Sequence, residues 1–212
     1  MTTEQPLVSC IMPTANRRDF LAWAINNFLL QDYPNAELII IDDGLESNAD
    51  LIPDEPFIRY FYTSPIGTIG TKRNFACAKA DGEYILHWDD DDWYAPDWIS
   101  RIVDSLLSSK ADITGLNKVV FDSPSSNMRL DCEMKNTDKP WVCGATMAYK
   151  KTLWKKYPFL NMHIGEDTDF LTNSGGSVSA MDYTDGFIAR LHPNNTSIKY
   201  LKQMGSKRWT SK

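Results

Sequence analysis

From Leu7 to Lys110 the chain alternates short apolar runs with amphipathic stretches, and this alternation limits the fold more than any other feature. "PLVSCIMPTANRRDFLAWAINNFLLQ" opens with an apolar run from Leu7 to Met12, which Pro13 is expected to halt. Phe20, Trp23, Ala24, Asn27 and Phe28 then follow at helical spacing. "AELIIIDDG" is too short and too rich in isoleucine for a helix; it reads as a buried strand ending in Asp42, Asp43 and Gly44. "FIRYFYTS" alternates as a third strand, and "TIGTKRNFACAKADG" reads as a helix closed by Gly82. "YILHW" is a fourth strand, and "APDWISRIVDSLLSSK" a helix with Pro96 near its first turn. Strands alternating with helices predict an α/β fold with a mostly parallel, Rossmann-like sheet covered on both faces.

Beyond residue 110 the pattern turns irregular. "DITGLNKVVF", "MRLDCEM", "WVCGATMAY" and "DGFIARLH" read as strands, with helices near Lys151 to Tyr157 and from Glu166 to about Asn173. This half is expected to finish the sheet with a smaller mixed β region and to shape a second pocket. No repeat or low-complexity linker separates the halves, so residues 1–212 are expected to form a single domain. About 1–110 would make a nucleotide-fold-like half and about 111–212 the half that shapes the second pocket.

The net charge of −6 disfavours a general nucleic-acid coat, so no nucleic-acid partner is expected. Cys10, Cys77, Cys132 and Cys143 show neither CxxC nor metal-finger spacing and read as reduced thiols of a cytoplasmic protein. No segment approaches the roughly 20 apolar residues that span a bilayer. Lys199, Lys202, Lys207, Arg208 and Lys212 read as a solvated tail, with peripheral contact to a membrane surface left open.

In an open parallel sheet, ligands collect beyond the carboxyl ends of the strands. There the first strand is followed by Pro13, Thr14 and Asn16, the second by Asp42 and Asp43, and the fourth by Asp89 to Asp92. Carboxylates packed so closely repel, and either raised pKa values or a divalent cation relieves them. Oxygen ligands favour Mg²⁺ or Mn²⁺, with substrate phosphates completing the shell. The residues alone leave two readings open: a metal that holds a diphosphate, or a solvated acidic turn capping the helix near Pro96. "GTIGTKRN" places Lys72 and Arg73 beside the same edge, as cations for phosphate oxygens or as a surface ion pair. It contains neither GK[ST] nor GxGxxG, so the P-loop and dinucleotide fingerprints are absent.

Four segments at these separations, "VSCIMPTANRRDFLAWAINNFLLQDYPNAELIIIDDG", "GTKRNFACAKADGEYILHWDDDDWYAPDWI", "GEDTDF" and "RLHPNNTS", together resemble the family 2 glycosyltransferases, whose fold is called GT-A. The resemblance runs from about residue 7 to residue 198. It implies transfer of a sugar from a nucleoside diphosphate donor, commonly a UDP-sugar, to a hydroxyl of a glycan or other acceptor, usually with inversion. It places Pro13, Thr14, Asn16 and Asp43 at the base and ribose, and Arg73 near the diphosphate. The family's DxD element falls on Asp89, Asp90 and Asp91. Asp89 and Asp90 would then meet the nucleotide sugar, and Asp91 would meet Mn²⁺ or Mg²⁺ directly. Because the acids are contiguous, register alone does not separate Asp89 from Asp91 as the ligand; Pro96 downstream favours Asp91.

"GEDTDF" matches the catalytic acids of the family, making Asp167 the general base and Glu166 its neighbour. Gly144 matches a glycine that lets backbone approach the donor sugar, and His192 a late histidine on the metal. From residue chemistry alone, Glu166 and Asp167 also read as helix N-terminal acids, Gly144 as a packing glycine and His192 as structural. Family members are frequently longer, and here only 20 residues follow His192. The sequence is therefore expected to be a minimal enzyme or the catalytic domain of a longer polypeptide. A sugar-nucleotide nucleotidyltransferase is a rival, set back by the lack of glycines in "PTANRRDF"; a non-catalytic nucleotide-sugar binder is another.

Overall fold

The computed structural model describes residues 5–124, 127–133, 140–193, 195 and 209–211. Its centre is strand β1 (Val8–Thr14), flanked in parallel by β2 (Ala36–Asp42) and β4 (Tyr84–His87), with β3 (Ile58–Tyr62) parallel beyond β2. Pro13 does not end β1 as its sequence position suggested. Ile11 faces β4, where its carbonyl accepts from Trp88 N–H, so Pro13 faces the same side, but β4 has already ended at His87. The missing proline N–H therefore removes no ladder bond, and Thr14 still accepts from Asp43 N–H across β2.

Strands β9 (Ala148–Lys150), β6 (Ile113–Leu116) and β10 (Val178–Met181) complete a sheet of order β3-β2-β1-β4-β9-β6-β10. Only β9 runs antiparallel to its neighbours. A smaller second sheet follows the order β12-β8-β7-β11-β5, built from β5 (Trp93–Tyr94), β7 (Lys118–Ser123), β8 (Met128–Glu133), β11 (Phe187–Arg190) and β12 (Trp209–Ser211). The sequence pattern did not anticipate β5, β10 or β12, which are two to four residues long and carry no periodicity to read.

Alternation within the strands supplies both faces of the large sheet. Cys10, Met12, Leu38 and Ile40 join a cluster with Leu21, Ala24 and Ile25 of α1 (Arg18–Leu29) and Ile99, Ile102 and Leu106 of α3 (Trp98–Ser109). Ile11, Ile39 and Ile41 point the other way, to Ala76 and Cys77 of α2 (Ile69–Lys79) and Phe170 of α5 (Glu166–Asn173). Each such isoleucine removed from water contributes roughly 1.5–3 kcal/mol. A short helix, α4 (Lys151–Lys156), continues directly from β9.

Gly82 does not close α2 in a left-handed turn: the helix ends on extended Ala80, and Gly82 lies tight against β1, where an added Cβ would stand 2.6 Å from Ser9 Oγ. All four cysteines are free. Among the described residues no helix is long and apolar enough to cross a membrane. Lys199, Lys202, Lys207, Arg208 and Lys212, read above as a basic tail, lie outside the described residues.

Candidate active site

The polar residues converge where β1, β2 and β4 end. After β1 the chain turns at Asn16, in the left-handed region at φ 56°, and Asn16 Oδ1 accepts from Leu45 N–H (2.7 Å), tying this loop to the one after β2. Asp42 is wholly buried and structural: it accepts from Asn48 Nδ2, Tyr60 Oη and Gly44 N–H. Asp43, one residue on, pairs with Lys72 of α2 and accepts from Ile66 N–H (3.3 Å).

The four aspartates after β4 precede β5 and not α3, so they do not cap that helix; its N-cap position is Asp97. Asp89 lies 3.8 Å from the Arg73 guanidinium. Asp90 accepts from Thr14 Oγ1 (2.6 Å) and Arg17 Nη1 (2.7 Å). Asp91 Oδ2 accepts from Arg17 Nη1 (3.0 Å), His192 Nε2–H (2.9 Å) and Asn195 Nδ2 (3.0 Å). Asp92 accepts from Arg190 N–H of β11 (3.0 Å). Burial pushes the Asp89 carboxyl up to about 7 against the pull of Arg73, and raises Asp90 and Asp92 as well.

The second set of acids enters from α5. Gly165 at φ 89° turns the chain into that helix, and Glu166 and Asp167 are its first two residues. Glu166 is buried and bonded to Arg73, so one guanidinium links it to Asp89. Burial raises the Glu166 carboxyl, while Arg73 opposes the shift. Arg73 Nε is a buried donor with no hydrogen-bond partner among the described residues. Asp167 Oδ1 accepts from Thr168 N–H (2.6 Å), and Oδ2 rests against Gly144 so closely that an added Cβ there would stand 1.7 Å from it.

Pro13, Thr14, Arg73, Asp89, Asp90, Asp91, Gly144, Glu166 and Asp167 thus line one open pocket of about 550 Å³. Asn16, Asp43 and His192 are not on its wall, although His192 bonds Asp91 and stacks on Phe20 at 4.5 Å. Of the tryptophans, Trp88 and Trp98 are buried in the core and Trp141 lines the pocket. Sequence reasoning passed over Arg17 and Asn195, which both hold Asp91. The Arg17-Arg18 pair directly after the first strand was the available signal; Asn195 offered none beyond standing near His192.

Asp91 and His192 offer an oxygen and an imidazole nitrogen that already meet at 2.9 Å. Among the described residues no group of three or more acids, histidines or cysteines forms a metal cage. A pair beside raised, crowded carboxylates suits Mn²⁺ or Mg²⁺ in an open site, where substrate phosphates complete the shell.

A family model described as glycosyl transferase family 2 matches residues 9–188. An uncharacterized glycosyltransferase of Haemophilus influenzae is 31% identical over 138 residues, covering 63% of this chain and 55% of the relative, so the chain spans about half of that protein. Among solved structures, S. aureus TarS 1-349 in complex with UDP-GlcNAc superimposes with a TM-score of 0.71 at 18% identity, covering 89% of this chain and 60% of that one. The mannosyltransferase PcManGT of Pyrobaculum calidifontis, in complex with GDP-Man and Mn²⁺, superimposes at 0.70 and 17% identity, covering 95% and 61%. At these identities the likeness is one of fold, and the fold is of the GT-A type expected from the sequence.

Proposed function

The chain belongs to glycosyl transferase family 2, and from that premise we propose that it moves a sugar from a nucleoside diphosphate donor, a UDP-sugar first, to a hydroxyl of a glycan or other acceptor, with inversion. One observation carries this reading: the acids after β4 and the acids opening α5 face a single pocket and share Arg73. The neighbours that hold UDP-GlcNAc and GDP-Man support a nucleotide-sugar donor.

In this reading Pro13, Thr14, Asn16 and Asp43 receive the base and ribose, and Asp89 and Asp90 orient the ribose and sugar. Asp43 accepts from a uracil N–H beside its pair with Lys72, and Lys72, which lines the pocket, offers positive charge toward the diphosphate. Arg73, with an unused buried donor, adds positive charge beside it. Asp91 and His192 would hold Mn²⁺ or Mg²⁺, whose chemistry there is to neutralise charge on the departing diphosphate. Asp167 removes the acceptor proton as the hydroxyl attacks the face opposite the leaving group. Glu166, tied to Arg73, holds the start of α5 in place beside it.

Calorimetric titration of UDP with and without Mn²⁺, paired with assays of transfer and hydrolysis, separates the roles. Asp91→Asn is expected to weaken metal-dependent UDP binding by roughly tenfold or more, because a charged ligand is replaced by a neutral one. Asp167→Asn should leave UDP binding within about twofold and lower transfer by about 10²- to 10⁴-fold. Equal loss of binding in both variants overturns the division. Intact binding with no transfer by the wild type favours a non-catalytic binder.

A further inference from the structure

Beneath Gly144 lies a buried polar chain to which the reaction above assigns no part. His87, the last residue of β4, is 1% exposed and sits among Tyr149, Phe159 and the backbone of Gly144. Its Nδ1 lies 2.6 Å from the Gly144 carbonyl oxygen. A carbonyl only accepts, so Nδ1 carries the proton. Nε2, 3.3 Å from Tyr149 Oη, then accepts a hydrogen bond from the tyrosine O–H, and Tyr149 Oη in turn lies 3.4 Å from Cys77 Sγ. Burial and the nearby Arg73 hold the imidazole pKa well below its usual range, so the ring is neutral and both partners favour the same tautomer.

An apolar side chain of similar size would pack here without desolvating two nitrogens. What the imidazole adds is direction. Gly144 opens a short 3₁₀ turn to Thr146, and its carbonyl also accepts from Met147 N–H (3.2 Å). The place a Cβ would take on the same residue is where Asp167 Oδ2 rests.

We infer that His87 is a positioning residue: as the neutral Nδ1–H tautomer it fixes the turn at Gly144 and, through it, the seat of the Asp167 carboxylate. This rests on the assignment of Asp167 as the general base. A base displaced by about 1 Å loses on the order of 10²-fold in rate, while binding of the UDP part of the donor is spared, because His87 is not on the pocket wall and meets it at the backbone of Gly144.

Three variants test it. His87→Leu removes both nitrogens. His87→Asn retains an N–H close to the position of Nδ1. Tyr149→Phe keeps the ring shape but withdraws the hydrogen bond donated to Nε2, freeing the imidazole to adopt the other tautomer. With a nucleotide sugar that the wild type turns over, His87→Leu is expected to lower kcat by about 10- to 100-fold. UDP affinity in the presence of Mn²⁺ should stay within about threefold, as befits a group that lies behind the pocket wall and not on it. His87→Asn should recover kcat to within about fivefold of wild type, and Tyr149→Phe should fall between.

Equal kcat losses in the Leu and Asn variants, or UDP affinity falling in step with kcat, would show that the ring serves packing alone and overturn the inference. Nitrogen-15 NMR of the wild type at pH 7 should show a protonated Nδ1 and an unprotonated Nε2. The opposite tautomer in an active enzyme overturns this inference and leaves the proposed function standing. A wild type that turns over none of a panel of UDP- and GDP-sugars overturns the parent reading, and this inference with it.

Discussion

Gly144→Ala is the substitution whose consequence the geometry fixes most tightly. The new Cβ would stand 1.7 Å from Asp167 Oδ2, 2.6 Å from its Cγ and 2.9 Å from its Cβ. To reach even a tight 3.0 Å contact, the carboxylate oxygen must retreat by about 1.3 Å, and the Oδ1 bond to Thr168 N–H is lost as the side chain turns. The obstacle is the mobile end of one side chain and not backbone, so most of the strain is relieved by moving Asp167. Stability should fall by only about 1 kcal/mol, a shift in Tm of roughly 2–4 °C for a chain of this size. The rate should suffer far more. Misplacing a general base by about 1 Å costs on the order of 10²-fold, or about 2.7 kcal/mol on the barrier. Steady-state transfer assays should therefore show kcat down by about 10²-fold, with UDP affinity in Mn²⁺ within about threefold of wild type. The cycle with Asp167→Ala is decisive: once the carboxylate is gone, adding Gly144→Ala should cost less than about threefold more, because the group it displaces is absent. Retention of kcat in Gly144→Ala, or an undiminished effect in the Asp167→Ala background, would refute the reasoning.

Arg17→Ala leaves the buried Asp90 and Asp91 without the guanidinium that bridges them. Metal-free protein at pH 7.5 should lose about 2–3 kcal/mol of unfolding free energy, discounted for the partial exposure of Arg17, with part recovered on adding Mn²⁺; an unchanged denaturation midpoint contradicts this. Asp89, raised to about 7, and Asp90 and Asp92, also raised, keep protons in the folded state that the unfolded chain gives up near pH 4. The folded state then binds more protons than the unfolded one across roughly pH 4 to 7, so stability falls as pH rises through that window. Asp112, held down to about 2 chiefly by Ser177 N–H, acts below it. Thermal scans in a chelator should show Tm lower at pH 8 than at pH 5.5, and Mn²⁺ should raise Tm more at pH 8; a chelated Tm that climbs with pH counts against buried, crowded carboxylates.

The first half of the fold was legible because its strands are long enough to show a pattern. "AELIII" buries Leu38 and Ile40 on one face and Ile39 and Ile41 on the other, which only a strand covered on both sides does. The second half hid β5, β10 and β12 because two to four residues hold no period, and their pairing is decided by tertiary neighbours. The acids of the site were legible by type and place, at strand ends and at the start of α5. Their partners were not. That Arg73 links Asp89 to Glu166, 93 residues beyond it in sequence, is a fact of packing between α2 and α5 and is written in no local spacing. The tightness at Gly144 was equally invisible: a glycine in "WVCGATMAY" announces a close approach but not which group approaches.

The run of four aspartates after a buried strand is explained by where each side chain goes. A helix cap would need only one of them, at the helix entrance, and that place belongs to Asp97. Instead Asp89 turns to Arg73 on α2, Asp90 to Thr14 at the end of β1 and to Arg17 beyond it, Asp91 to His192 and Asn195 after β11, and Asp92 to the Arg190 N–H within β11. Four contiguous residues thus join the first strand, the second helix and the C-terminal side of the small sheet around one pocket. Asp92 bonds only backbone in this set and is 5% exposed, which makes it a brace, unlike its three neighbours on groups that carry positive charge or donate from side chains. Burying so much like charge is costly unless cations share it. Arg17 and Arg73 supply part of that compensation in the chain itself, and burial first, with the neighbouring aspartates adding to it, raises the carboxyls of Asp89, Asp90 and Asp92. Entry of a divalent cation beside Asp91, as proposed, is then expected to relieve the crowded carboxylates and to raise stability, which would link folding to the chemistry proposed for the pocket.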